Sequence, residues 1–210
     1  MGHGEKGRLV VISAPSGTGK STVCGRLRAE HDDIAVSVSY TTRAPRGSER
    51  DGVEYHFVDD ACFDHMIAAG DFLEWAQVFG RRYGSGRADV ERLLGEGKDV
   101  LFDIDVQGGA QIKKAVPDAL LVFLLPPSMD ELIRRLDLRG TESAAQMRKR
   151  LHKAVWELRQ SDYYDYHVVN DDLDQALARV NSIRRGSPND GGRNATLVAD
   201  LIAQAHSLFD

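Results

Sequence analysis

The sequence predicts an α/β fold in which a parallel sheet is covered by helices on both faces. The segments 9–12 and 120–125 are uniformly apolar, which is typical of strands buried on both sides. Helical patterns separate the strand patterns along the chain, as parallel pairing requires. The first strand is followed by a loop of small residues and then by a helical pattern that begins at Lys20. We therefore expect an open parallel sheet with a binding loop after its first strand.

This strand–loop–helix layout predicts a phosphate-binding loop, a P-loop, over residues 14–22. Its backbone N–H groups would point toward phosphates, and the helix N-terminus would add partial positive charge. Lys20 would reach the β- and γ-phosphates, and the Ser21 hydroxyl would bind Mg²⁺. The consensus G-x-x-x-x-G-K-[ST] has Ala14 in place of its first glycine. That alanine would be strained if the turn needed a positive φ there. The alternative is an ordinary strand–turn–helix corner with a solvated lysine.

Composition and net charge limit the classes of protein to which this chain can belong. The chain has 210 residues, 42% of them hydrophobic and 28% charged, which fits one large domain or one domain with inserted lobes. Its net charge of -5 argues against binding nucleic acid mainly through phosphates. Cys24 and Cys62 have no metal-ligand spacing and form no disulfide framework. Neither a signal peptide nor a membrane span is apparent, so we expect a cytoplasmic protein without a membrane partner.

Short strand patterns between residues 34 and 86 predict a small lobe inserted into the main sheet. The segments are a strand at 34–39, an arginine-containing loop at 40–52, a strand at 53–58, a helix at 60–69 and a strand at 72–79. Longer units then resume, with helices at 90–94, 109–116, 129–138, 144–160 and 173–185 and strands at 100–105, 120–125 and 166–169. Capping boxes at Ser128–Glu131 and Ser143–Gln146 predict two of the helix starts.

The C-terminal region reads as a linker and a helix. Residues 186–192 are rich in Gly, Ser, Pro and Asn, and an amphipathic pattern follows to Phe209. This helix could fold back onto the body or serve as a dimerisation arm, and folding back is slightly favoured. The oligomeric state, monomer or homodimer, stays open.

Several motifs, taken together, resemble those of the guanylate kinase family of nucleoside-monophosphate kinases. They are SAPSGTGKS at 13–21, SVSYTTRAPR at 37–46, EWA at 74–76, YGS at 83–85, DIDVQG at 103–108, RGT at 139–141 and VNDD at 169–172. The resemblance covers about residues 8–185. It implies a core with a monophosphate-binding lobe at 39–86 and a helical lid at 138–162, followed by the C-terminal segment 186–210. It also implies phosphorylation of GMP, and of dGMP, by ATP with Mg²⁺.

The resemblance also implies roles for the acceptor side of the site. Arg43 and Arg46 flank a proline, where a bidentate grip on one phosphate is possible. In the family they hold the GMP phosphate together with Tyr55 and Tyr83. The alternative is that both arginines are ordinary solvated loop charges.

The resemblance also implies that a second group of residues recognises the guanine base. Glu74 matches the family's guanine-reading glutamate, Ser39 its partner at O6, and Asp105 an acceptor for the amino group. Ser85 and Asp103 complete the GMP set. Asp103 and Asp105 are two apart in a predicted strand, so both should project to one face. Asp103 could then order Mg²⁺ through water. Taken alone, Glu74 would read as a solvated residue on a strand face.

On the ATP side, the resemblance implies that the loop and a set of basic residues bind the triphosphate. The expected ATP-binding residues are Ala14, Pro15, Ser16, Gly17, Thr18, Gly19, Lys20, Ser21, Thr22 and, near the adenine, Asn170. The expected catalytic cations are Lys20, Arg43, Arg135, Arg139 and Arg150, of which the last three would fold over the phosphates with the lid. A solvated helix face is the alternative for these lid arginines.

Two other functions remain open from the sequence. A guanylate-kinase-like module could serve as a peptide-binding scaffold, although such modules typically lose the loop lysine and the lid arginines. A relative could also phosphorylate a different acceptor, such as another purine monophosphate or a phosphorylated sugar. Glu74, Ser39 and Tyr83 together count against a sugar.

Overall fold

A computed structural model describes residues 6–137, 144–187 and 192–207. In chain order its elements are β1 (Leu9–Ser13), α1 (Lys20–Glu30), β2 (Ile34–Ala35), β3 (Tyr40–Thr41), β4 (His56–Phe57), α2 (Asp60–Ala69), β5 (Phe72–Val78), β6 (Arg81–Gly86), α3 (Arg87–Gly95), β7 (Asp99–Asp103), α4 (Val106–Ala115), β8 (Leu120–Leu125), α5 (Met129–Asp137), α6 (Ala144–Arg159), β9 (Tyr166–Val169), α7 (Leu173–Arg184) and α8 (Ala195–His206).

Five parallel strands form the main sheet in the order β2-β7-β1-β8-β9. Side chains of β1 alternate between its two faces, and each face has a separate apolar core. Leu9 and Val11 pack in the core beneath α3, α4, α5, α6 and α8, whereas Val10 and Ile12 pack in the core beneath α1 and α7. The predicted parallel sheet with helices on both faces is thereby confirmed. β1 lies at the centre, so the loop after it opens at the middle of the sheet edge.

A second sheet of four strands, in the order β4-β3-β6-β5, lies between residues 40 and 86, within the range 39–86 expected for the monophosphate-binding lobe. The prediction of a single strand at 34–39 is wrong, because the chain passes from one sheet to the other within this region. Ile34–Ala35 pairs with β7 in the main sheet, whereas Tyr40–Thr41 pairs with β6 in the second sheet. The chain passes from one sheet to the other between these strands, and no ladder covers residues 36–39. Residues 81–86, which carried no strand prediction, form β6.

Asp103 and Asp105 do not share a strand face, so that prediction is wrong. β7 ends at Asp103, and Asp105 is the N-cap of α4. Its Oδ1 accepts hydrogen bonds from the backbone N–H groups of Gln107 and Gly108, at 3.0 and 3.1 Å. Aspartate is among the preferred N-cap residues because it satisfies these otherwise unpaired donors. The helix expected at 109–116 accordingly begins three residues earlier, at Val106.

The start of α5 confirms half of the first predicted capping box. The Ser128 hydroxyl accepts a hydrogen bond from the Glu131 N–H at 3.1 Å. The Glu131 carboxylate does not return to Ser128, because it pairs with Arg134 and Arg135 at 2.7 Å. The second capping box involves Ser143, which lies outside the described residues.

The last helix packs on the body of the protein. Val198, Leu201 and Ala205 of α8 are buried in the core beneath α5 and α6. The backbone N–H of Met129 donates to the Gln204 side chain at 3.0 Å and so joins α8 to the start of α5. The final residues of the predicted pattern, Leu208 and Phe209, lie outside the described part of the chain. Within that part, no helix combines the length and apolar character needed to cross a membrane.

Candidate active site

The loop between β1 and α1 has the backbone geometry that a phosphate-binding loop requires. Gly17 and Gly19 have φ values of 93° and 95°, a region that disfavours side chains. A Cβ at Gly19 would lie 2.6 Å from the Asn170 amide nitrogen, and one at Gly17 would lie 2.6 Å from Leu136. Among the described residues Phe79 is the only non-glycine with a positive φ. Ala14 therefore carries no such strain, and its departure from the consensus leaves the loop intact.

Two side chains from other elements support this loop. The buried Asn170, which follows β9, donates from Nδ2 to the Thr18 carbonyl at 2.7 Å. Arg135 of α5 donates to the carbonyls of Thr18 and Asn170 at 3.3 and 3.0 Å. Glu131 accepts from Nε of Arg135 and holds the guanidinium in this direction. These contacts fix the loop from outside, a role that the sequence did not indicate for Asn170.

Helix α6 lines one side of a cavity of about 410 Å³ at this loop. The lining residues are Ala14, Pro15, Ser16, Gly17, Gly19, Lys20, Ser21, Thr22, Asp105, Arg135, Arg150 and Glu157. Arg150 of α6 donates from Nη2 to the Ser16 hydroxyl at 2.8 Å. The structure thus brings Lys20, Arg135 and Arg150 together, as predicted for three of the cations. Arg139 lies outside the described residues.

Lys20 and Asp103 form an ion pair where α1 begins and β7 ends. Lys20 lines the loop cavity, whereas Asp103 lines a second cavity of about 170 Å³. The remaining residues of that second cavity are Cys24, Gly25, Arg28, Val36, Ser37, Ser39, Ser85, Leu101, Phe102 and Ile104. The two cavities therefore adjoin at this ion pair, and groups bound in each would meet beside it.

A buried carboxylate stands behind the second cavity. Glu74 of β5 is 8% exposed, and its Oε1 accepts a hydrogen bond from the Ser85 hydroxyl at 2.6 Å. Burial raises the pKa of Glu74, and the Asp105 charge raises it further, whereas the Ser85 hydrogen bond lowers it. Ser39 and Ser85 line the cavity itself. The solvated strand-face alternative for Glu74 is wrong, because antiparallel pairing with β6 turns this residue inward.

The expected phosphate-holding residues of the acceptor side also come together. Arg43 has its Cζ 5.2 Å from the centre of the Tyr55 ring, and the rings of Tyr55 and Tyr83 lie edge to face at 5.9 Å. Arg43 forms two hydrogen bonds of 2.9 Å with the carboxylate of Glu49. This pairing, followed by Tyr83, raises the pKa of Arg43. The Arg46 backbone N–H also donates to Glu49, at 2.8 Å, and Arg46 is exposed at the edge of the group.

Sequence reasoning missed three carboxylates of the site. Glu131 precedes Arg134 and Arg135 by three and four residues, so this pairing could have been anticipated from helical spacing. Glu49 pairs with the Arg43 side chain six residues away, a contact that depends on the folded loop. Glu157 follows Arg150 by seven residues, which places both on one face of α6. That spacing was the available indication that Glu157 faces the loop.

Comparison with known proteins gives consistent matches over most of the chain. The family described as guanylate kinase matches residues 6–185. A guanylate kinase of Zymomonas mobilis is 51% identical over 179 residues, which are 85% of this chain and 83% of that protein. A guanylate kinase of Neisseria meningitidis serogroup B is 47% identical over 197 residues, 94% of this chain and 96% of that one.

A solved structure supports the same relationship. The crystal structure of guanylate kinase from Anaplasma phagocytophilum superposes with a TM-score of 0.63 and 34% sequence identity. The match covers 88% of each chain.

Proposed function

Because this chain belongs to the guanylate kinase family, we propose that it transfers the γ-phosphoryl group of ATP to GMP, giving ADP and GDP. The adjoining of the two cavities at Lys20 and Asp103 is the observation that carries the proposal. One cavity is built on a phosphate-binding loop, and the other lies in front of a buried carboxylate. This arrangement suits a donor nucleotide and an acceptor nucleotide held end to end.

For this phosphoryl transfer, the protein must mainly supply positive charge and align the two substrates. The acceptor phosphate has a second pKa near ~6, so at neutral pH it is largely an anion and needs no strong general base. The difficulty is the approach of two anions and the charge that develops on the transferred group. Lys20, Arg135 and Arg150 meet this demand from the donor side, and Arg43 from the acceptor side. Arg139 belongs to the same proposed set.

Guanine recognition follows from donors and acceptors on the base edge. Guanine presents N–H donors at N1 and N2, and the carboxylate of Glu74 accepts both. Adenine presents a lone pair at N1, which would leave the buried carboxylate facing an acceptor. Ser39 would contact O6 and Asp105 the amino group. dGMP fits the same proposal because its base and phosphate are identical to those of GMP.

The donor set of the loop cavity fits Mg²⁺. Mg²⁺ keeps several waters and binds through one or two protein ligands together with substrate phosphates. Ser21 lines the cavity beside Lys20 and would be the protein ligand. Among the residues that the structure describes, no trio of acidic, histidine or cysteine side chains could hold a metal alone. When bound, the ion would neutralise phosphate charge, while Lys20 and the loop N–H groups orient the phosphates.

The proposal extends to the organisation and setting of the protein. Residues 39–86 would bind the monophosphate, residues 138–162 would act as the lid, and residues 8–185 would form the complete kinase domain. The segment 186–210 would be a linker and a supporting helix. We place the protein in the cytoplasm, as a monomer or homodimer without nucleic-acid or membrane partners.

An ADP-release assay with ATP and Mg²⁺ across GMP, dGMP, AMP, CMP and UMP tests the function. We expect turnover with GMP and dGMP, and rates at least about 100-fold lower with the others, since an unpaired buried carboxylate makes discrimination large. Turnover with AMP but none with GMP would overturn the guanine assignment. A folded sample inactive with every monophosphate would instead favour a binding module.

A further inference from the structure

Two acidic side chains line the loop cavity, and only one of them, Glu157, is buried, since Asp105 is exposed and caps α4. Glu157 of α6 is 3% exposed and lines this cavity together with the phosphate-binding loop. Its Oε2 has no hydrogen-bond partner among the described residues. Its Oε1 lies 3.6 Å from Nζ of Lys153, which is beyond hydrogen-bond range. Burying a carboxylate with one oxygen left without a partner is costly, so the position of Oε2 calls for an explanation from the ligand.

The groups around Glu157 come from several elements. Lys153 lies on the same helix, and Arg150 joins that helix to Ser16 of the loop. Lys20, Arg135 and Asp105 line the same cavity from α1, α5 and the start of α4, and Tyr164 lies nearby before β9. Burial and the Asp105 charge raise the pKa of Glu157, whereas Lys153 and the Ser16 backbone N–H lower it. The cations around this cavity therefore outnumber its two acids, and Glu157 is the buried one of the two.

We propose that Glu157 is a specificity residue that makes the loop cavity favour metal-bound ATP over metal-free ATP. This inference rests on the proposed function, because it assumes that ATP binds in this cavity. A carboxylate opposes a phosphate ligand in proportion to the negative charge of that ligand, and more strongly where water is excluded. A divalent ion cancels part of the triphosphate charge, so the complex meets less repulsion than free ATP.

The unpartnered Oε2 of Glu157 provides a second reason for the preference for metal-bound ATP. A water molecule of the metal's hydration shell donates hydrogen bonds, and a bare phosphate oxygen only accepts them. The carboxylate can therefore accept a hydrogen bond from the hydrated complex but finds no donor on the ionised phosphates of metal-free ATP. Both effects act in the same direction and favour the metal-bound substrate.

Equilibrium binding of ATP, measured once with excess Mg²⁺ and once with EDTA, tests the proposal without turnover. Trp156, the neighbour of Glu157 and 43% exposed, reports binding through its fluorescence. In Glu157→Gln we expect the ratio of Kd for free ATP to Kd for the Mg²⁺ complex to fall by about tenfold, mainly through tighter binding of free ATP. Glu157→Asp, which keeps the charge, should retain most of the preference.

Asp162→Asn is the matched control, because it removes one negative charge from an exposed position outside the cavity. Its ratio should equal that of the wild type. Thermal unfolding shows whether each variant folds, and Glu157→Leu replaces Glu157→Gln should the latter not fold, since an apolar isostere is tolerated at a buried charged position.

An unchanged ratio in the neutral variant, an equal change for both forms of ATP, or the same change in Asp162→Asn would overturn the assignment of Glu157. A wild-type protein that binds neither form of ATP would instead overturn the proposed function. The two failures are therefore distinguishable in one set of titrations.

Discussion

At the scale of single residues, two side chains mark the two halves of the site. Under the proposed function, Lys20 belongs to the donor half because it lines the loop cavity, and Glu74 belongs to the acceptor half because Ser85 joins it to the second cavity. Lys20 does not line the second cavity, and Glu74 does not line the loop cavity. Their variants should therefore separate the handling of ATP from the recognition of GMP.

Lys20→Ala should lower kcat by about 100-fold to 1000-fold, because one preorganised positive donor is lost at the transferred phosphate. Steady-state ADP release measures the effect. Lys98→Ala is the control, since Lys98 immediately precedes β7, at the opposite end of that strand from Asp103, and donates to the Asp32 carbonyl. A Lys20→Ala protein with wild-type kcat would remove the lysine from the proposed mechanism.

Glu74→Gln should lower kcat/KM for GMP by about 10-fold to 100-fold, since a hydrogen bond to a charged group contributes about 1.5–3 kcal/mol. An amide offers one acceptor oxygen and turns its own donors toward the base. Initial rates at varied GMP and varied ATP separate the two substrates, and KM for ATP should stay close to wild type. Glu91→Gln, on the exposed face of α3, provides the control. An unchanged GMP profile would contradict guanine recognition by Glu74.

Most residues were assigned from motifs. These assignments were accurate where the contacts lie within one segment of the chain and less so where they depend on the fold. The phosphate-binding loop could be predicted because its chemistry lies within one segment of the chain. Asp105 was misplaced because its cap role depends on where α4 begins. Glu49 and Glu157 were missed because their pairing or burial depends on folded loops and on the approach of α6 to Ser16.

At the scale of elements, the loop between β1 and α1 is the most constrained. Gly19→Ala should weaken ATP binding at least about tenfold, because alanine at φ 95° costs about 1–2 kcal/mol and its Cβ would displace Asn170. Titration with ATP and Mg²⁺ measures the effect. Gly95→Ala is the control, since a Cβ there meets nothing within 4 Å. Equal ATP affinity in Gly19→Ala and wild type would show that the loop tolerates a side chain.

The arginine pair of α5 gives stability a pH dependence at that helix. Arg134 and Arg135 lower the pKa of Glu131 from 4.5 to about 2. A carboxyl group with a depressed folded-state pKa stabilises the protein fully above pH 4.5 and loses that contribution as the pH falls toward 2. Urea unfolding between pH 2 and pH 6 should therefore show a steeper acid loss in wild type than in Glu131→Gln, with the difference reduced by salt. Parallel pH profiles would contradict this pairing.

Regular elements were predicted better than the lobe. Apolar runs such as residues 120–125 form strands wherever the sheet is buried on both faces, so pattern alone predicts them. In the second sheet, β6 contains Gly84 and Gly86, and the strands β3 and β4 have only two residues each. Their pairing is set by partners distant in sequence, and local patterns cannot reveal it.

At the scale of the whole molecule, α8 packs against α5 and α6 in one shared core. Leu201→Ala should lower the free energy of unfolding by about 3 kcal/mol, since it removes a fully buried leucine from that core. Chemical denaturation measures the change, and Asp200→Asn on the exposed face of the same helix is the control. A loss below about 1 kcal/mol would indicate that α8 is held only loosely against the body.

Three cations that we propose to bind the substrates each pair with a carboxylate of the chain: Lys20 with Asp103, Arg43 with Glu49 and Arg135 with Glu131. When a nucleotide binds, its phosphates must therefore replace the carboxylate that pairs with each cation, or bind the cation beside it. Because the paired carboxylate largely cancels the long-range field of each cation until then, the enzyme attracts nucleotides only weakly from a distance. Its selectivity must then develop at contact, after the nucleotide has reached the cleft.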